Sequence, residues 1–82
     1  MRIGVMGIII VKDRSMAESV QHVLSDHADI IMARTGIPDA QNGIHVISLI
    51  IKGTNERISS LAGKLGKLKN VKVKSAVTDI DA

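Results

Sequence analysis

The chain of 82 residues has no cysteine, no phenylalanine, no tyrosine and no tryptophan, and only one proline. Without cysteine there is no disulfide framework, no thiolate nucleophile and no thiolate metal ligand. Without aromatic rings there are no platforms of the kind on which RNA-binding sheets stack bases. Acidic charge is the scarcer sign: 8 Asp and Glu stand against 11 Lys and Arg, for a formal net charge of +3. That balance permits an acidic partner without requiring one. No run reaches the roughly 20 apolar residues of a membrane-spanning helix. The start, MRIGVMGIIIVKDRSMAES, carries an apolar stretch, but Lys12, Asp13 and Arg14 interrupt the approach to any cleavage site. These absences lead to the expectation of a soluble, cytoplasmic protein without a membrane partner.

What is present is largely β-branched: 13 Ile and 8 Val, beside 5 Leu, 7 Ala and 4 Met. Such a composition favours strands. A chain this short is one domain. Its core is small, and it gains from oligomerisation.

The hydrophobic pattern divides the chain into six elements. Ile3 to Val11 reads as a buried strand bounded by charges. Asp13 or Ser15 can cap a helix from Met16, on which Ala17, Val20, Val23, Leu24 and Ala28 recur at helical spacing. A second strand covers roughly Ile30 to Thr35, and GIPDAQNG reads as a turn-rich connection. Ile44 to Lys52 is a third strand. Thr54 or Asn55 then caps a second helix with a stripe of Ile58, Leu61, Ala62, Leu65 and Leu68. After Asn70, Val71, Val73, Ser75 and Val77 alternate with Lys72, Lys74 and Ala76 as a half-exposed strand. The expected domain is 1–78, with 79–82 a loose tail.

The order βαββαβ is the ferredoxin-like pattern of an α+β fold. Right-handed crossovers place strands 1 and 3 in the centre of a four-stranded antiparallel sheet of order 4-1-3-2, with both helices on one face. In a monomer the other face should be polar. Here Ile3, Val5, Ile9 and Val11 alternate with Met6, Ile8 and Ile10, and Ile44, Val46 and Ile50 alternate with His45, Ile47, Leu49 and Ile51. Both central strands are therefore apolar on both sides. Three such side chains are worth roughly 5–9 kcal/mol when fully buried. The expectation is a homo-oligomer, dimer or tetramer, formed through the sheet, with Met6, Ile8, Ile10, Ile47, Leu49 and Ile51 assigned to the associating face.

The stretch GKLGKLKNVKVK raises three readings. A phosphate-binding P-loop needs a second glycine at a fixed spacing, a Ser or Thr after the lysine, and a place at a helix start. Neither Gly63-Lys64 nor Gly66-Lys67 meets these conditions. A nucleic-acid contact through Lys64, Lys67, Lys69, Lys72 and Lys74 is the alternative function, disfavoured because lysines on an edge strand also guard it against aggregation. Packing fits better. Ser59, Ala62, Gly63 and Gly66 form a small-residue strip on the helix, expected to contact the first helix or another subunit. Two interior glycines otherwise cost roughly 1 kcal/mol each.

Other chemistry is sparse. His22, His27 and His45 read as surface or structural residues, and no metal site is expected. No Ser-His-Asp or paired-carboxylate spacing stands out, so the chain reads as a non-enzyme with no cofactor. Arg34 lies beside a turn, where a guanidinium can take a carboxylate. With Gly36 and the residues Asp13, Arg14 and Ser15 at the first helix start, it makes up the candidate ligand-binding set.

Most of the chain resembles a known family. The carriers are Arg34-x-Gly36-x-Pro38 and Leu61-x-Gly63-Lys64-Leu65-Gly66 followed by Val71-x-Val73-Lys74, with VKDRSMAESVQHVLSDHADIIMAR extending the likeness. Together they resemble small proteins assigned as regulators of the iron-only hydrogenase system. The resemblance implies an ACT-like domain that oligomerises and acts through a small ligand or a protein partner. It also implies a shape similar to the C-terminal domain of nickel-responsive repressors. Those bind metal through His and Cys, and the absence of Cys here excludes that metal set.

Overall fold

The computed structural model describes residues 1–11, 15–39 and 41–80. The elements are β1 (Arg2–Val11), α1 (Met16–Asp26), a 3₁₀ turn (Ala28–Ile30), β2 (Ile31–Asp39), β3 (Ile44–Gly53), α2 (Asn55–Gly66) and β4 (Val71–Asp79). The four strands pair antiparallel in the order β2-β3-β1-β4, which is the expected 4-1-3-2 order read from the opposite edge.

The helix limits follow local chemistry. Thr54 caps α2, its hydroxyl accepting from the Arg57 N–H at 3.2 Å. After α2, Asn70 adopts φ 63°, the left-handed conformation that Asn tolerates better than most residues. That reversal turns the chain into β4. The alternative cap Asp13 lies outside the described residues, and Ser15 holds the N-cap position of α1.

Two boundaries differ from expectation. Gly36 to Asp39 continue β2, pairing with Ile47 to Ile44, so the turn is shorter than GIPDAQNG suggests. Pro38 is tolerated because β2 is an edge strand, where a missing N–H costs no ladder bond. Asp39 closes the turn by accepting from the Asn42 side chain at 2.8 Å, and Gly43 supplies φ 66°. At the other end, β4 runs to Asp79. The Arg2 Nε meets the Asp79 carboxylate at 3.1 Å, and Ile80 donates its N–H to the Met1 carbonyl at 3.2 Å. Residues 79 and 80 are thus tied down rather than loose. Gly4 lets β4 approach closely, since a Cβ there would overlap the Ala76 carbonyl and lie 2.8 Å from the Val77 Cα.

The core lies between the sheet and the helices. Met6, Ile8, Ile10, Ile47, Leu49 and Ile51 supply the sheet side; Val20, Leu24, Ile58, Leu61 and Leu65 supply the helix side. This corrects the assignment of those six strand residues to an associating face: they are covered by the chain's own helices. Alternation separates two apolar sets in β1 and β3 but does not say which one the helices cover.

Among the described residues, one polar side chain is fully buried. His27 follows α1 and faces the Val23 carbonyl through Nδ1 at 2.8 Å and the Ser60 hydroxyl through Nε2 at 3.1 Å. A carbonyl can only accept, so Nδ1 carries a proton, and in the neutral ring Nε2 accepts from the Ser60 hydroxyl. The helices are joined a second time by Arg57, which bonds the Asp26 carbonyl at 3.1 Å and the Asp29 carboxylate at 2.5 Å.

Two outcomes follow. Ser60→Ala leaves the His27 Nε2 buried without a partner and should cost about 1–3 kcal/mol in urea unfolding; an unchanged midpoint would mean the bond contributes nothing. The Arg57 hydrogen bond holds the Asp29 carboxyl below its ordinary value of 3.8. A depressed carboxyl contributes stability above its unfolded pKa, and that contribution is lost as pH falls through the folded value. Asp29→Asn should therefore lower the urea midpoint at about pH 7 and converge with the unsubstituted chain as pH falls through the depressed folded value. Parallel curves across that range would exclude Asp29 as a source of acid sensitivity.

Candidate functional site

Strand alternation and antiparallel register arrange the uncovered side of the sheet in rows. Ala33, Ile50, Val5 and Ala76 form one row from β2 to β4. Thr35, Ser48, Gly7 and Lys74 form the next, and Ile37, Val46, Ile9 and Lys72 the third. The apolar members remain in water: Ile37 is 63% exposed, Val5 47%, Ile9 40%, Val46 39% and Ile50 37%. A contiguous apolar patch of this kind marks an interaction surface. The expectation of a two-sided apolar sheet is met, on the complementary set of residues.

Among the described residues, the candidate ligand residues do not share one cavity. Asp13 and Arg14 lie outside the described residues. Ser15 lines a groove on one flank of α1 with Glu18, Ser19, His22, Val23 and Leu68. Arg34 lies in the middle of β2 rather than beside its turn, and lines a groove of about 280 Å³ on the other flank of α1. Leu24, Ser25, Ala28 and Met32 share that groove. The Arg34 guanidinium donates to the Gln21 Oε1 at 2.6 Å. Among the described residues, Arg2 pairs with Asp79 and Arg57 with Asp29, while Arg34 has no carboxylate partner. Gly36 stands two residues further along the same side of β2. A Cβ there would come within 3.2 Å of the His45 Nε2, so the glycine makes room for the imidazole.

The glycine strip on α2 does not contact α1. Ser59, Gly63 and Gly66 are exposed, and Cβ atoms built on Gly63 or Gly66 meet nothing within 4 Å. Ala62 packs at the edge of the core. The contact between helices runs instead through His27, Ser60 and Arg57, because these face α1 from the adjoining side of α2. The lysines are also divided. Lys64 and Lys67 belong to α2 and its cap, while Lys72 and Lys74 alternate with Val71 and Val73 and so face the uncovered side of the sheet. A continuous nucleic-acid track is not formed. The Gly-Lys pairs fall at the end of α2, where no helix N-terminus faces a phosphate.

The Ser60–His27 pair has the distance of a nucleophile and its base. No fixed local spacing announces it, since the partners are 33 residues apart. His27 is wholly buried, and a carbonyl rather than a carboxylate holds its other nitrogen. Substrate cannot reach it, and the pair is a structural tie. His22 pairs with Asp26 at 3.7 Å on the surface. Among the described residues, no three His, Asp or Glu side chains come together as a metal site, and no helix is long and apolar enough to cross a membrane.

The open space at the glycines makes a direct prediction. Gly63→Ala and Gly66→Ala should each raise stability by about 0.5–1 kcal/mol, read as a higher melting temperature with unchanged oligomeric state. A lower melting temperature or a smaller particle would restore the strip as a contact.

Comparison with known proteins places this geometry. Residues 2–75 match the TM1266-like family model, described as "Iron-only hydrogenase system regulator, putative". The uncharacterised protein TM1266 from Thermotoga maritima is similar at 25% identity and TM-score 0.90, over 96% of this chain and 100% of that one. The ACT domain from GTP pyrophosphokinase of Chlorobium tepidum matches at 20% identity and TM-score 0.74, over 90% and 96% of the two chains. A nitrogen regulatory PII-like protein from Thiomonas intermedia K12, bound to ADP, AMP and bicarbonate, matches at 11% identity and TM-score 0.58, over 96% and 92%. The latter two likenesses concern the fold. No curated protein sequence matches the chain.

Proposed function

The chain belongs to the TM1266-like family, the one described as "Iron-only hydrogenase system regulator, putative", and from that premise we propose that it is a non-catalytic, ACT-like regulatory module that works as a homo-oligomer. The uncovered sheet face is its assembly surface. The Arg34 groove is where it takes a small anionic ligand or the acidic group of a protein partner. The regulated process is that of the iron-only hydrogenase system.

The observation that carries this reading is the exposure of Val5, Ile9, Ile37, Val46 and Ile50 on one side of the sheet. An isolated domain of this size gains little by leaving five large aliphatic side chains in water. Burying such residues contributes about 1.5–3 kcal/mol each at full burial. Arg34 supports the ligand part. Among the described residues its charge has no carboxylate to meet it, and the neighbouring Gln21 orients the guanidinium without neutralising it.

Val46→Lys tests the assembly. It places a charge in the middle of the apolar face and leaves the core beneath α1 and α2 untouched. Light scattering after size-exclusion chromatography should show an oligomer for the unsubstituted chain and a monomer for the variant, with the helical circular-dichroism signal retained. A monomeric unsubstituted chain at about 100 μM, well above a micromolar Kd, would overturn the reading.

A further inference from the structure

The charges around the apolar face do more than mark its edge. Lys72 and Lys74 lie along the β4 edge, and the β2 edge opposite carries no cation on this face. There the rows end in Ala33, Thr35, Ile37 and Asp39, all exposed. The face therefore has a cationic edge and a neutral-to-acidic edge, with Val5, Ile9, Val46 and Ile50 between them.

Area allows a second copy to cover it. Four strands at about 4.8 Å spacing and ten residues long at about 3.3 Å rise give roughly 600 Å² per copy. Two copies bury on the order of 1,200 Å², the lower end of stable interfaces. Packed sheets also keep their strand directions nearly aligned or nearly orthogonal. A two-fold axis lying between the sheets and across the strands would set β4 on β4. The axis then passes near the Gly7–Ser48 row, and Lys74 meets Lys74 of the second copy. An axis parallel to the strands instead sets β4 of one copy over β2 of the other. Lys74 then lies over Thr35 and Lys72 over Ile37, row for row, and Asp39 comes to the end of the sheet that holds Lys72. Lys52, in the terminal row with Ile3 and Thr78, lies over Ile3. Val5 covers Ile50, and Ile9 covers Val46.

We propose that the self-association suggested above, on which this inference rests, is a face-to-face pair whose two-fold axis runs parallel to the strands, with the β4 lysines of each copy lying along β2 of the other. No cation then faces a cation. Each lysine's aliphatic stem lies on Ile37 or Thr35 while its ammonium reaches the rim, the arrangement long basic side chains favour.

The absence of native cysteine makes single-thiol cross-linking clean. Chains carrying Ile37→Cys and chains carrying Lys72→Cys are co-expressed, and the mixed protein is treated with a bis-maleimide of about 10 Å span, matched to the separation of packed sheets. The Thr35→Cys and Lys74→Cys pair repeats the test on the adjacent row, in case one substitution impairs folding. The expected result is covalent dimer in both mixtures and none from Lys74→Cys alone. Efficient linking of Lys74→Cys to itself would overturn the proposal in favour of an axis across the strands. An oligomeric unsubstituted chain that cross-links in neither mixture would overturn the axis and leave self-association standing. A monomeric unsubstituted chain would remove both.

Discussion

The central strands β1 and β3 carry aliphatic residues on both sides, but the two helices lie on one side only. That mismatch governs the rest of the molecule. On the covered side, Met6, Ile8, Ile10, Ile47, Leu49 and Ile51 close against α1 and α2 and form the core. On the other side, the same alternation leaves Val5, Ile9, Val46 and Ile50 in water. One strand pair thus supplies both the core of the monomer and the exposed apolar face on which the proposed assembly rests. The two roles are separable because period-two geometry sends neighbouring residues in opposite directions. A change at Val46 acts on the outer face, and a change at Ile47 acts on the core.

The order of elements was legible because each helix has a start signal beside its apolar stripe and Asn70 marks the end of the second. The two-sided character of β1 and β3 was legible from alternation alone. The side covered by the helices was not, since Ile8 and Ile9 are the same residue in opposite positions. Only the crossover geometry, a property of the whole fold, distinguishes them. The extent of β2 was obscured by Gly36 and Pro38, which read as turn residues and are admitted here by the freedom of an edge strand. The tail was obscured because its anchor is at the far end of the chain: Arg2 reaches Asp79, and nothing near Asp79 in sequence foretells it. The same holds for the bond from His27 to Ser60.

That buried pair also shows why distance between side chains is insufficient to assign chemistry. A serine hydroxyl on an imidazole nitrogen is the first half of a nucleophile-and-base arrangement. The second half is access, together with donors aimed at a developing oxyanion. His27 has no exposed surface, and Ser60 lines neither groove beside α1. What the pair does supply is a directional link between α1 and α2 in an interior otherwise made of interchangeable aliphatic contacts. Hydrogen bonds of this kind fix which way two helices meet, while Ile and Leu contacts tolerate sliding.

The two surfaces proposed for ligand and assembly share one element. Arg34 lies on the helix side of β2, and Thr35 and Ile37 lie on its uncovered side. β2 is an edge strand, exposed along nearly its whole length, and it is interrupted by a bulge between Ile31 and Ala33. It is therefore the strand least held by the core, with β3 as its only ladder partner. An anion drawn to Arg34 and a second copy resting on Ile37 would both act on the position of this one strand. Under thermodynamic linkage, whatever the first does to the affinity of the second is returned in equal measure. Regulation of this kind requires no catalysis: the message would be a change in assembly, carried through the width of a single strand.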